Sequence, residues 1–254
     1  MTPLESFKDK IKKGEVVVGS FMKVGDPAFV EIAGYAGYDF VILDLEHGPS
    51  SIESAQNLVR AAQVAGTVPI IRTPDNSEIA IQKAMDIGAS GIQPPQINSA
   101  EEAKRAVLAA KYAPDGVRGV CRFVRSSKYS SMDRFEYFKS ANENLVVLQL
   151  EGKSAIDNLD EILDVKGVDI VFIGPYDLSS SLGIIGQVDH PMLIETMKEV
   201  IKKAKAKGIA VGIFADKPEA ARMWRDAGVQ YMAYSNDTGI FLEACAAIVK
   251  AVKE

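Results

Sequence analysis

The stretch "DFVILDLEHGPS", residues 39–50, changes character halfway along. Phe40, Val41, Ile42 and Leu43 form the continuous apolar run that a strand covered on both faces requires, and Asp44, Glu46 and His47 then follow within four positions. A strand dry on both sides belongs to a parallel sheet wrapped in helices. Polar residues at its carboxyl end belong where the strand-to-helix loops build a site.

The pattern recurs outward in both directions. Together with "DFVILDL" (39–45), the apolar runs are "VVVGSF" (16–21), "VPIIR" (68–72), "GIQ" (91–93), "LVVLQLE" (145–151), "DIVFIG" (169–174), "IAVGIF" (209–214) and "QYMAYS" (230–235). Gly37, Gly66, Gly88, Gly167, Gly208 and Gly228 each follow a helix-like stretch and precede one of these runs, as a helix stop feeding a strand does. Segments such as "SIESAQNLVRAAQVAG" and "HPMLIETMKEVIKKAKAKG" put apolar residues on one face and charges on the other. Eight strand–helix units in 254 residues predict an α/β chain folded as a single domain over residues 1–254, a closed (β/α)8 TIM barrel with an amphipathic N-terminal helix. An open doubly wound sheet would carry a glycine-rich phosphate loop after its first strand, and "GSFMKVGDP" has none.

Composition narrows the function. The net charge is -5, and lysines and arginines are scattered among acids, so no footprint for nucleic acid or a membrane surface exists and a small-molecule substrate is expected. Cys121 and Cys245 have neither metal-ligand nor redox spacing, and no apolar run has signal-peptide or membrane-spanning character, which reads as a cytoplasmic protein. Two regions break the rhythm. Residues 112–144 are long for a helix-to-strand joint and carry Arg118, Arg122, Arg125, Lys128 and Arg134; they read as a solvated excursion with one short helix, or as a lid or subunit contact. The last helix, "TGIFLEACAAIVKAVKE", is apolar nearly all round and is expected to be covered by another subunit of a homo-oligomer.

The chemistry-bearing residues collect at carboxyl ends of strands. Glu151 and Asp177 end strands one βα unit apart, so their carboxylates lie near one another, about 4.8 Å being the strand spacing. A hard divalent ion, Mg2+ or Mn2+, suits such a pair; the plainer reading caps a helix with Asp177 and pairs Glu151 with Lys153. Arg72 ends the third strand, placed to grip a carboxylate or neutralise an oxyanion, or to bridge to Asp44 or Glu46. Asp44 in the same turn as His47 suggests an acid–base dyad, a carboxylate bracing an imidazole, whereas His190 before Pro191 reads as a helix cap.

"DFVILDLEHGPSS", "PIIRTPDN", "LVVLQLEGKSAIDNLDEIL" and "GVDIVFIGPYDLSSSLG" followed by "HP" resemble the HpcH/HpaI aldolases, metal-dependent pyruvate aldolases of the phosphoenolpyruvate/pyruvate barrel superfamily. The resemblance implies a class II aldolase that reversibly cleaves 4-hydroxy-2-oxo acids to pyruvate and an aldehyde through a pyruvate enolate. It implies that Glu151 and Asp177 bind a divalent metal (Mg2+ or Mn2+, with Co2+ a further option), that Arg72 stabilises the enolate oxygen, and that His47 with Asp44 forms the acid–base dyad. Glu46 and Gln149 would order the metal's waters and the substrate, and Gly174 and Pro175 would present backbone amides to the pyruvate carboxylate. Asp86 matches a position that reaches a neighbouring subunit's site. The family also exchanges its last helix between barrels and assembles as a hexamer, a trimer of dimers. The run "GIQPPQI" stands where the family has a more apolar fourth strand, and "SFMKV" and "RTPDN" stand where it carries aromatics. Remaining rivals are a Schiff-base aldolase, which needs a lysine in the barrel; a citryl-CoA or malyl-CoA type acyl-CoA lyase, with the basic stretch from Arg118 to Arg134 meeting the nucleotide; and a non-catalytic keto-acid-binding barrel.

Overall fold

The computed structural model describes residues 1–254, and in it the apolar runs close into one barrel. Its strands are β1 (Val17–Met22), β2 (Phe40–Asp44), β3 (Val68–Arg72), β4 (Gly91–Ile92), β5 (Leu145–Leu150), β6 (Ile170–Ile173), β7 (Ala210–Ala215) and β8 (Tyr231–Asn236). Each pairs in parallel with its sequence neighbour and β8 pairs back onto β1, so no free edge is left. Every residue of β2, β3, β5 and β6 is buried, which is why these strands appear in the sequence as unbroken apolar runs. The six glycines that mark helix stops all have positive φ. At Gly66 and Gly228 that left-handed residue caps a helix directly, a conformation an L side chain resists.

The helices are α1 (Pro3–Lys12), α2 (Pro27–Tyr35), α3 (Ile52–Ala65), α4 (Glu78–Asp86), α5 (Ala100–Ala110), α6 (Arg134–Ala141), α7 (Lys153–Asp157), α8 (Leu159–Leu163), α9 (Pro175–Ser181), α10 (Pro191–Ala206), α11 (Pro218–Ala227) and α12 (Asp237–Lys253). One apolar layer lies between the strands and these helices, and a second fills the barrel itself. The inner layer is aromatic: Phe40 stacks on Tyr231 at 4.0 Å between centroids, and Phe172 meets Tyr231 edge-on at 5.9 Å. Small residues on the adjoining strands make the room. A Cβ on Gly19 would stand 2.6 Å from the Phe40 ring, and one on Gly212 would stand 2.5 Å from the Tyr231 ring. From below, α1 closes the amino end with Phe7, buried edge-on against Phe40 at 5.9 Å and Tyr231 at 6.1 Å.

The excursion over residues 112–144 joins α5 to β5, so it hangs from the amino end of the barrel, opposite the mouth. It holds a short 3-10 turn (Arg125–Ser127) and α6, and it is pinned there: Arg125 donates to the Ile87 carbonyl, and the buried Lys111 donates to the Asn142 carbonyl. The lid reading therefore fails for this chain's own mouth, and so does the idea that its arginines meet a nucleotide handle there. The short extra helix is present. On α12, the chain alone leaves Phe241, Leu242, Ile248, Val249 and Val252 exposed, so the burial expected of that helix is not supplied within one subunit. No helix is long and apolar enough to cross a membrane, and both cysteines are free.

Phe7→Ala empties the plug beneath the barrel. It is expected to destabilise the fold by about 3–5 kcal/mol, read as a lower urea midpoint by circular dichroism.

Candidate active site

The mouth is organised around a buried ion pair. β2 and β3 run in register with Asp44 opposite Arg72 at their carboxyl ends. The Asp44 carboxylate accepts from Arg72 Nε at 2.9 Å and Nη2 at 2.7 Å, and its Oδ1 also accepts the main-chain N–H groups of Glu46 and His47, both at 3.1 Å. Burial alone would push the Asp44 carboxyl up, but the Arg72 guanidinium and the His47 N–H hold it below the usual carboxylate range. Arg72 Nη1 lies 3.0 Å from Glu46 Oε2, and the guanidinium rests over the Phe21 ring at 4.7 Å. Two of its five N–H groups are thus committed to hydrogen bonds, and a third lies beside the Glu46 carboxylate.

This geometry corrects the expected dyad. Asp44 holds Arg72 and the His47 main chain, and it does not brace the imidazole. The carboxylate nearest the His47 ring is Glu46, whose Oε2 lies 3.9 Å from Nε2, while the ring itself is largely exposed at the mouth. Glu46 Oε2 is buried without a hydrogen bond of good geometry. Its carboxyl is pushed up by burial, offset by Arg72, with Asp44 and Asp177 adding to the rise.

Across the mouth, Glu151 follows β5 and Asp177 sits in the first turn of α9. Both plainer readings fail. Lys153 pairs with Asp157 at 2.6 Å, and α9 has no side-chain cap. Glu151 is held at both oxygens: Oε1 accepts the Gln96 N–H at 2.9 Å, and Oε2 accepts Gln149 Nε2 at 2.6 Å. Gln96 has a φ of 55°, a left-handed conformation that carries an energetic penalty of roughly 1–2 kcal/mol in a non-glycine residue. That turn aims its N–H at the acid. Gly174 is small for the same reason, since a Cβ there would stand 2.8 Å from Glu151 Oε2. Pro175 has no N–H to present, and the Gly174 N–H is directed to the Leu150 carbonyl at 3.4 Å. The unpaired donors of this turn are the N–H groups of Tyr176 and Asp177.

A cavity of about 250 Å³ opens between these elements, lined by His47, Arg72, Gln149, Glu151, Gly174 and Asp177 among others. Its size suits a small acid better than a drug-sized ligand. Beside it lies a wholly polar hollow of about 210 Å³ bordered by Glu46, His47, Gln96, Asn98, Glu151 and Asp177. Burial pushes the Glu151 carboxyl up to about 7 against the opposing Gln149 bond, and the negative fields of Asp177 and Glu46 push the same way. Acids that raise one another's proton affinity in this way call for a cation. Glu151 and Asp177 border the same polar hollow, a pair of the two-carboxylate kind that leaves positions for water and substrate oxygens. The residues fit a hard divalent cation.

Two other candidates lie elsewhere. Asp86 ends α4 at the amino end of the barrel and pairs with Arg118 at 2.5 Å, far from this chain's own mouth. His190 caps α10, its Nδ1 accepting the Met192 N–H at 3.2 Å. Sequence reasoning missed Gln96 and Gln93, both in the weak fourth run, whose polar residues beside prolines were the available signal. Lys23, just beyond β1, also lines the cavity, with its Nζ 3.8 Å from Asp44 Oδ2.

A closed parallel barrel with an arginine, a histidine and paired acids at its carboxyl mouth is an enzyme scaffold of the TIM-barrel class. Residues 18–244 match the family described as HpcH/HpaI aldolase/citrate lyase, and the chain belongs to that family. It is 36% identical to the 2-keto-3-deoxy-L-rhamnonate aldolase of Escherichia coli K12 over 94% of this chain and 89% of that protein. It is 32% identical to the 5-keto-4-deoxy-D-glucarate aldolase of Citrobacter koseri over 98% of this chain and 96% of that one. Among solved structures, an HpcH/HpaI aldolase/citrate lyase family protein from Burkholderia cenocepacia J2315 superposes with a TM-score of 0.93 at 31% identity, covering 98% of this chain and 99% of the other.

The pH dependence of Glu151 has a definite sign. Its carboxyl is raised from 4.5 to about 7, so the fold favours the protonated form and stability falls as pH rises through that window. In metal-free protein, Glu151→Gln is expected to remove that loss, seen as a thermal midpoint that exceeds wild type at about pH 8 and converges with it near pH 4. Added Mg2+ should raise the wild-type midpoint at the higher pH and leave the variant unmoved.

Proposed function

We propose that the protein is a divalent-metal-dependent aldolase that reversibly cleaves 4-hydroxy-2-oxo acids to pyruvate and an aldehyde. The observation that carries this reading is the convergence of Glu151, Asp177, Arg72 and His47 on one small cavity. Glu151 and Asp177 would hold the cation, Mg2+ or Mn2+, with Gln149 and Glu46 ordering water and substrate around it. When bound, the cation polarises the 2-oxo group as a Lewis acid.

The chain's own residues account for the remaining steps. In cleavage, the bond between C3 and C4 breaks, its electron pair passes into the enolate of pyruvate, and the proton of the 4-hydroxyl leaves as the aldehyde forms. His47 takes that proton, directly or through one water, with Glu46 the carboxylate nearest its ring. Arg72, fixed by Asp44, directs its uncommitted N–H groups at the developing enolate oxygen without having to reorganise. The first-turn N–H groups of Tyr176 and Asp177 would be the main-chain donors to the pyruvate carboxylate. A proton delivered to C3 then releases pyruvate.

The relatives' substrates, 2-keto-3-deoxy-L-rhamnonate and 5-keto-4-deoxy-D-glucarate, are 4-hydroxy-2-oxo acids derived from sugars. A keto-deoxy sugar acid is accordingly the substrate class for this chain. The exposed apolar residues of α12 support assembly into a homo-oligomer, a hexamer built from dimers with that helix exchanged. Leu242→Asp with Val249→Asp should shift the mass measured by light scattering toward the monomer.

Exchange of pyruvate methyl protons in deuterated water, followed by NMR, tests the chemistry. The wild type with Mg2+ or Mn2+ should exchange them, chelator should stop it, and Arg72→Lys should slow it about 10²–10³-fold. Metal-independent exchange, with trapping of pyruvate on Lys23 by borohydride, would mark a Schiff-base enzyme instead. No exchange under any condition would mark a binding protein.

A further inference from the structure

A line of hydrogen bonds leaves the mouth and runs into the dry centre of the barrel. Gln149 Nε2 donates to Glu151 Oε2 at 2.6 Å, Gln93 Nε2 donates to Gln149 Oε1 at 2.7 Å, and the Tyr231 hydroxyl donates to Gln93 Oε1 at 3.3 Å. Gln93 and Tyr231 are wholly buried and Gln149 is 2% exposed, so water cannot stand in for a missing partner. Such a line has a direction. An ionised carboxylate only accepts, so Gln149 must turn its NH2 to Glu151 and its oxygen to Gln93. Gln93 must then donate to that oxygen and turn its own oxygen to Tyr231, where the phenol donates.

An amide can rotate to exchange its oxygen and nitrogen, and a Gln149 so turned would set a carbonyl oxygen against the Glu151 carboxylate. What opposes that rotation is the far end of the line. Tyr231 is clamped between the stacked Phe40 ring and the edges of Phe7 and Phe172, in space left by Gly212, so its oxygen stays in place, and a Gln93 turned to donate to that oxygen would leave the buried phenol hydrogen without its acceptor. Gln93 arises from the run "GIQPPQI", where a purely apolar strand would leave Gln149 Oε1 unpaired.

We infer that Gln93 and Tyr231 are positioning residues, which lock the Gln149 amide with its NH2 toward Glu151 and so keep that carboxylate oriented for the divalent cation. This rests on the reading of Glu151 as a metal ligand. Gln93 and Tyr231 do not line the cavity and touch neither substrate nor cation, so their effect is on cation affinity and not on proton transfer.

Binding of Mn2+ to the full-length protein, measured as free Mn2+ by electron paramagnetic resonance with no substrate present, reads this directly. Tyr231→Phe should weaken binding about fivefold, the worth of one hydrogen bond, and Gln93→Met about tenfold or more. Gln93→Glu should weaken it further than the Met variant, because a carboxylate there accepts from both neighbours and draws Gln149 Nε2 away from Glu151. A merely structural line would lower the thermal midpoint while leaving Mn2+ affinity untouched. Should the Gln93 variants fail to fold, Tyr231→Phe, which removes a single oxygen, still decides. If the wild type binds Mn2+, Glu151→Gln does not, and Tyr231→Phe matches the wild type, the inference is overturned alone. If Glu151→Gln binds as well as the wild type, the metal reading falls and the inference falls with it.

Discussion

The two-pronged contact between Asp44 and Arg72 is the constraint on which the mouth depends. Both side chains are nearly enclosed, at 0% and 8% exposure, so neither charge could remain without the other. A buried pair of this kind adds little net stability. Its value is that it fixes a guanidinium in one orientation, with Phe21 beneath it and Glu46 beside it, at the wall of the cavity. Asp44 Oδ1 also gathers the N–H groups of Glu46 and His47, so one carboxylate sets the path of the turn that carries the other two polar residues.

Opposite this cationic wall stands an acidic one. Glu151 is fixed from both sides by Gln96 and Gln149, and Asp177 is brought to it by the turn that opens α9. The two walls divide the labour of the proposed reaction: one holds a cation against the oxygen atoms of the keto acid, and the other meets the charge that develops there. Because the arginine is already neutralised by its own acids, the mouth does not simply attract every anion. It has complementary positions on two sides, and a ligand must present oxygen atoms to both.

The fold was legible because burial on both faces writes itself as continuous apolar runs, and because a helix that stops on a left-handed residue needs glycine there. Even the short β4 was visible between its glycine stop and its prolines. The positions of the polar residues at the mouth were legible for a topological reason, since every one lies at a strand's carboxyl end. Their partners were not. Spacing put Asp44 near His47, but alternation of side chains along a strand sends Asp44 toward its register partner Arg72 on the next strand. Likewise the line from Glu151 to Tyr231 joins residues from different parts of the chain, Gln93 with Gln149 and Gln93 with Tyr231, which no local pattern could bring together. The lid reading of residues 112–144 could have been set aside from chain order alone, because a helix-to-strand joint in a barrel lies at the amino end.

The plug under the barrel has a bearing on how the chain can be assembled. Helix α1 leaves the ribosome long before β8 exists, yet its seat is built from Tyr231 on that last strand, and Gln230 just before β8 reaches back to the Ile11 carbonyl at 2.5 Å. Helix α1 therefore has no complete berth until β8 joins the ring. The last strand thus closes the ring and the seat of α1 together, and neither is complete without it.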